Sequence, residues 1–161
     1  MKILSTKVLI VSSVFLSGMS LLGCDKTTEE TSPPSLQVAV GSTYDRSKID
    51  PTRIKQGRDL FLKNCMVCHG FDAEGAPDWR KRDAEGKFPA PPLNGTGHAW
   101  HHPQNALMYT IRNGTKALGG NMPGWKDKLS EQEIESIIFW FQSKWPDELY
   151  QAWARVDKES N

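Results

Sequence analysis

Apolar residues return at three- and four-residue spacing in four stretches of the chain, and each stretch predicts an amphipathic helix. In the first, Ile54, Gly57, Phe61 and Cys65 share one face. Asp50-Pro51 ahead of them is a start signal: the carboxylate accepts from orphan N–H groups, and a Pro at the first helical position gives up only an N–H that has no partner. The second is predicted over Pro103 to Arg112, with Ala106, Leu107, Met108 and Ile111 apolar and Asn113-Gly114 as its stop. In the third, Ile134, Ile137, Ile138 and Phe141 form the stripe with Trp140 beside it, and Ser130-Glu131-Gln132-Glu133 reads as a capping box. The fourth starts at Pro146-Asp147-Glu148 and offers Leu149, Trp153 and Val156 for packing on the outside of the core. Gly57 is the informative position in this pattern. A helix-interior Gly costs about 1 kcal/mol relative to Ala, which is offset where another group comes close, and Trp140 is the ring expected to face it.

The intervening stretches are polar. Asp25 to about Lys48 is rich in Thr, Glu, Ser and Pro, with one short apolar run, Leu36 to Val40, and cannot bury enough surface to order itself. It reads as a tether spanning roughly 25 to 30 Å as a flexible chain and ~80 Å at full extension; Leu36 to Val40 could dock on the domain as an extended strand. Phe71 to Pro89 is a long charged loop with Gly75, Pro77 and Gly86. Its Arg80-Lys81-Arg82 triplet, beside Asp78 and Asp83, reads as a solvated face, with a docking patch as the alternative. At the start of the chain, Lys2 and Lys7 flank an apolar run, Val8 to Leu16, that is short for a bilayer span and has the form of a secretory signal.

Cysteine usage changes this picture most. In Cys65-Met66-Val67-Cys68-His69, two thiols three residues apart can bond to both vinyl groups of one haem while the His directly behind them reaches its iron. The spacing is that of a c-type haem attachment site. A redox dithiol is the rival for a Cys-x-x-Cys in an exported protein, but it needs no His directly behind it. Leu21-Leu22-Gly23-Cys24 resembles the lipobox of bacterial lipoproteins, which implies cleavage before Cys24 and lipid on its sulfur and amine; an ordinary signal with an incidental Cys is the alternative. Several acyl chains anchor stably where one does not. Asp25 resembles the signal that keeps such lipoproteins on the outer face of the inner membrane. No thiol then remains for a disulfide, a zinc site or a nucleophile.

The expected organisation is a lipoprotein signal over 1–23, a lipid anchor and flexible tether over 24–49, one domain over 50–145 and a helical extension over 146–161. The whole chain of 161 residues carries 20 Lys and Arg against 19 Asp and Glu. Loss of the signal leaves 18 against 19, a formal charge of −1 before the haem propionates, which offers nothing for nucleic-acid binding.

A haem iron held by His69 has a sixth position to fill. Met122 stands 53 residues further on in Gly119-Gly120-Asn121-Met122-Pro123-Gly124, a segment that cannot be regular helix and can bring backbone close to a flat cofactor. Its thioether is a soft ligand suited to electron carriers. Met66 is locked between the cysteines, and Met108 sits on a helix where core packing is the default.

Gly57, Phe61, the Cys65 to His69 motif, Ala90-Pro91-Pro92-Leu93-Asn94-Gly95, Met122-Pro123 and the aromatic third helix together resemble the ordered landmarks of the class I c-type cytochromes, over about Pro51 to Trp145. The resemblance implies an all-α fold, with about three core helices around one covalently attached haem c. It also implies Met122 as distal ligand, and a Pro91 carbonyl that accepts a hydrogen bond from the proximal imidazole of His69 and so fixes the ring. Departures from the family are the long insertion before Pro91, Ala90 where Gly is frequent, and the C-terminal extension.

Gly97-His98-Ala99-Trp100-His101-His102-Pro103 gathers three of the four histidines within five residues. One reading is structural, with Trp100 and one His donating to haem propionates or capping the second helix. A second is a copper or zinc site at His98, His101 and His102. A third puts one of these histidines on the iron in place of Met122.

These readings converge on a membrane-tethered electron carrier on the periplasmic side of a bacterial membrane, monomeric, that meets redox partner proteins by transient docking. Lys116, Lys126 and Lys128 beside the Met122 loop are candidates for that contact. The competing classes are a haem enzyme or gas sensor in which Met122 leaves the iron, and a carrier with an added copper or zinc site. The chain does not name the electron donor or acceptor.

Overall fold

The structure is a computed structural model and describes residues 45–160. The signal over 1–23, Cys24, Asp25 and most of the expected tether, Leu36 to Val40 included, lie outside the described residues. Among the described residues the regular structure is helical: α1 (Pro51–Asn64), α2 (Met66–His69), α3 (Gln104–Asn113), α4 (Glu131–Gln142) and α5 (Asp147–Glu159), with 3-10 turns at Arg46–Lys48, Ala99–His101 and Lys116–Leu118. No described helix is long and apolar enough to cross a membrane.

The start signals act as their chemistry dictates. The Asp50 side chain accepts from Thr52 N–H ahead of Pro51. At α4 the Ser130 hydroxyl accepts from Glu133 N–H while the Glu133 carboxylate accepts from Ser130 N–H, a complete capping box. That exchange holds the Glu133 carboxyl below its ordinary range.

The core is the crossing of α1 and α4. Gly57 is buried there, and a Cβ on it would lie 1.8 Å from the Ser136 carbonyl oxygen and 3.0 Å from Ile137 N. The group facing Gly57 is therefore the α4 backbone and not the Trp140 ring. Two helix backbones can meet this closely only where a side chain is missing. Trp140 instead packs one turn along, with its ring 4.4 Å from that of fully buried Phe61. Arg53 bonds the two helices at the crossing, donating to Ser136 Oγ, to Glu135 Oε2 at 2.9 Å and to the Gln132 carbonyl at 2.8 Å. Ile134, Ile137, Ile138 and Phe141 complete the α4 stripe, and Leu107 and Ile111 of α3 join the same cluster.

Two boundaries differ from the sequence expectation. Residues 45–49, assigned by composition to the tether, belong to the fold. Arg46 donates to the carbonyls of Gln142 at 3.0 Å and Trp145 at 2.6 Å, satisfying acceptors at the α4 C-terminus, and pairs with Asp147. The C-terminal helix is likewise more than an outer layer: of the expected Leu149, Trp153 and Val156, Trp153 is buried and Leu149 packs half-buried against the core, and Tyr150, Ala154 and Asp157 are buried as well. Burying two large aromatic side chains contributes about 3 to 6 kcal/mol. Tyr150 and Trp153 close the core beside Trp145.

Candidate functional site

α1 delivers Cys65 as its C-cap, with Cys65 N–H donating to the Phe61 carbonyl at 2.8 Å. The chain then makes one further helical turn, α2, which carries Cys68 and His69 and ends at Gly70. Both thiols are unbridged, Cys65 half-buried and Cys68 exposed. Burial first, and the adjacent Cys68 second, push the Cys65 thiol up to about 12.

His69 is buried, its ring 6.3 Å from that of Phe61. Its Nδ1 lies 3.0 Å from the Pro91 carbonyl oxygen. A carbonyl can only accept, so the proton sits on Nδ1 and the Nε2 lone pair is left as the available donor atom. Burial also lowers the pKa of His69, opposed by the Pro91 bond, and so keeps the ring in the neutral form that metals bind.

Pro91 is set in place by backbone bonds on both sides of it. The loop after His69 returns along residues 90–94, with Ala76 N–H donating to the Ala90 carbonyl and Leu93 N–H to the Ala73 carbonyl, each at 2.8 Å. Trp145 Nε1 donates to the Leu93 carbonyl at 2.7 Å and ties this stretch to the end of α4.

Met122 lies in an irregular segment, half-buried and packed against the core. The segment follows the end of α3, where Gly114 adopts φ +72° and a Cβ would lie 2.4 Å from the Met122 carbonyl oxygen. Asn121 Nδ2 donates to Asp83 Oδ2 at 3.3 Å, so the 71–89 insertion touches the Met122 loop. Neither Asp83 nor Asn121 carries a local sequence signal for this contact, because they are 38 residues apart.

The histidine segment does not form a metal-binding group. His98 stacks on Trp79 at 5.4 Å and meets the His102 ring edge-on, whereas His101 stacks on Trp100 at 3.6 Å. Among the described residues no three His, Cys, Asp or Glu side chains converge as a metal site, so the second-metal reading of His98, His101 and His102 has no geometry behind it. The capping alternative is also corrected. α3 takes no side-chain cap from Trp100 or a His; its Gln104 N–H donates to Asp157 Oδ1 of α5 at 2.6 Å.

The donor set fits a covalently bound haem c: two unbridged thiols at the attachment spacing and an imidazole with Nδ1 engaged and Nε2 available. Met66, Val67, Phe71 and Leu118 add exposed apolar surface on the attachment turn and the Met122 loop.

A family model described as "Cytochrome C oxidase, cbb3-type, subunit III" matches residues 52–140. Cytochrome c6 of Cladophora glomerata is 30% identical over 91 residues, which cover 55% of this chain and 86% of that protein. The cbb3-type cytochrome c oxidase subunit CcoP of Azospirillum sp. (strain B510) is 30% identical over 88 residues, so the chain spans only 27% of that subunit's length. Among solved structures, cytochrome CL from the marine methylotrophic bacterium Methylophaga aminisulfidivorans MPT is similar with a TM-score of 0.48 and 23% identity, over 70% of each chain.

Proposed function

The chain belongs to the family described as cytochrome c oxidase, cbb3-type, subunit III, among the c-type cytochromes, and from that membership we propose a lipid-tethered one-electron carrier whose haem iron is held between His69 and Met122. The described domain is an all-helical class I monohaem c-type cytochrome, an electron carrier with covalent haem c, and Cys65 and Cys68 fit its attachment motif.

The observation that carries the ligand reading is the His69 ring, buried, neutral and held through Nδ1 by the Pro91 carbonyl so that Nε2 is the atom left for iron. Met122 supports the other side, as the half-buried methionine on an irregular segment, while Met66 is exposed on the attachment turn and Met108 is part of α3. Haem c, when bound, supplies an Fe(II)/Fe(III) couple whose potential is raised by thioether ligation. With one protein ligand on each side no position stays open to a substrate, which favours electron transfer over catalysis or gas sensing.

The tether reading rests on the lipobox-like Leu21-Leu22-Gly23-Cys24 and places the domain on the periplasmic face, with Asp25 favouring the inner membrane. The carrier works as a monomer and meets redox proteins transiently, with the exposed Val67, Phe71 and Leu118 and the lysines Lys116, Lys126 and Lys128 as candidates for that contact. Likeness to CcoP points to a respiratory oxidase as the partner class.

The ligand set is tested by the far-red charge-transfer absorption of an Fe(III)–thioether bond in the oxidised protein. It is expected in the wild type and lost in Met122→Ala; a wild type without it overturns the His/Met assignment.

A further inference from the structure

The Met122 reading leaves open what aims the ligand, since a side chain on an irregular loop is not oriented by helix geometry. The polar groups of one residue, Thr115, converge on this loop. Thr115 N–H donates to the Met122 carbonyl at 3.0 Å, and Met122 N–H donates to Thr115 Oγ1 at 3.1 Å. The Thr115 carbonyl accepts from Gly120 N–H at 2.9 Å and from Leu118 N–H at 2.9 Å. Thr115, which follows the α3 C-cap, thus holds the span from Leu118 to Met122, while the far end of the loop is pinned separately by Trp125 N–H donating to the Ile111 and Arg112 carbonyls.

The fit around Thr115 is specific. A Cβ on Gly120 would lie 2.2 Å from Thr115 Oγ1, so the threonine side chain occupies the space that Gly120 leaves. Gly114 brings its own backbone against Met122, Pro123 and Gly124 on the adjoining side. With the N–H and the carbonyl of Met122 both held, the peptide planes before and after it are fixed, and with them the direction in which its side chain leaves the backbone.

We propose that Thr115 is the positioning residue for Met122: its hydroxyl and N–H together hold the ligand loop in the conformation that presents the thioether. This rests on Met122 being the axial ligand. A loop ligand is lost by local opening, which costs far less than global unfolding. Bonds at the neck of the loop set that cost.

The test uses the full-length, haem-loaded, oxidised protein titrated with imidazole, an external ligand that binds only where Met122 has left. Loss of the far-red thioether absorption reads the exchange, and far-ultraviolet circular dichroism reads the fold. Thr115→Val removes the acceptor of Met122 N–H and is expected to bind imidazole about five- to tenfold more tightly with its fold retained, the equivalent of one lost hydrogen bond. Thr115→Ser keeps the hydroxyl and is expected within about twofold of the wild type. Wild-type affinity in Thr115→Val overturns the proposal, and so does an equal tightening of imidazole binding in Thr115→Ser, which would show that keeping the hydroxyl does not hold the loop. A wild type that lacks the thioether absorption is a separate result: it overturns the Met122 assignment itself, and this inference with it.

Discussion

His98 illustrates how little of a residue's role its type conveys. Three histidines within five residues invite a metal, yet in the fold each ring has an aromatic neighbour: Trp79 and His102 for His98, and Trp100 for His101. Burial, then the charges of His102, His101 and Arg80, hold the His98 pKa below its ordinary value. The unfolded chain therefore takes up the proton more readily than the folded one. Stability is retained above the unfolded pKa of about 6.5, and it falls as pH drops through that value toward the lower folded pKa. Urea midpoints at about pH 7.5 and about pH 5.5 check this: the acid loss is expected to be larger in the wild type than in His98→Gln. Equal losses would remove His98 as a source of the pH dependence.

At the scale of elements, the helices were legible wherever the chain carries its own punctuation. Asp50-Pro51, Asn113-Gly114 and the Ser130 to Glu133 box each act within a few residues of the end they define. α3 is the instructive exception, because its N-terminus has no local side-chain cap and relies on Asp157, 53 residues away on α5. An anionic acceptor at a helix N-terminus satisfies an orphan N–H and complements the helix dipole. Asp157→Ala is expected to lower stability by about 1 to 2 kcal/mol, with Asp157→Asn retaining part of it. Urea denaturation of the haem-loaded protein measures the difference, and a loss below about 0.5 kcal/mol would show that the contact is not a working cap. A second bond has the same sense: Trp153 Nε1 donates to the His102 carbonyl at 3.0 Å, so α5 secures the segment between the Pro91 stretch and α3. A helix that looks like an appendage in sequence is part of the scaffold of the site.

For the molecule as a whole, no described helix is long and apolar enough to cross a membrane. In the proposed carrier the membrane is held by the lipid on Cys24, which is separated from the first described residue by about 20 residues. Cys24→Ser is expected to move the haem-loaded protein from the membrane to the soluble fraction with its absorption spectrum unchanged. Retention in the membrane fraction would overturn the lipid tether.

The attachment motif from Cys65 to His69, the helix starts and stops, and the apolar stripes can all be read directly from the order of residues. Each of these depends on residues within a few positions of one another, where spacing and geometry are coupled directly. What crosses Gly57 emerges in the fold, where an α4 carbonyl rather than the Trp140 ring comes within contact. The fold alone showed that Arg46 bonds the end of α4, that α5 packs into the core, and that Thr115 and Gly114 close on the Met122 loop. Those contacts join backbone atoms or residues far apart in the chain. Backbone carbonyls are the same at every position, so a sequence cannot say which of them will be met.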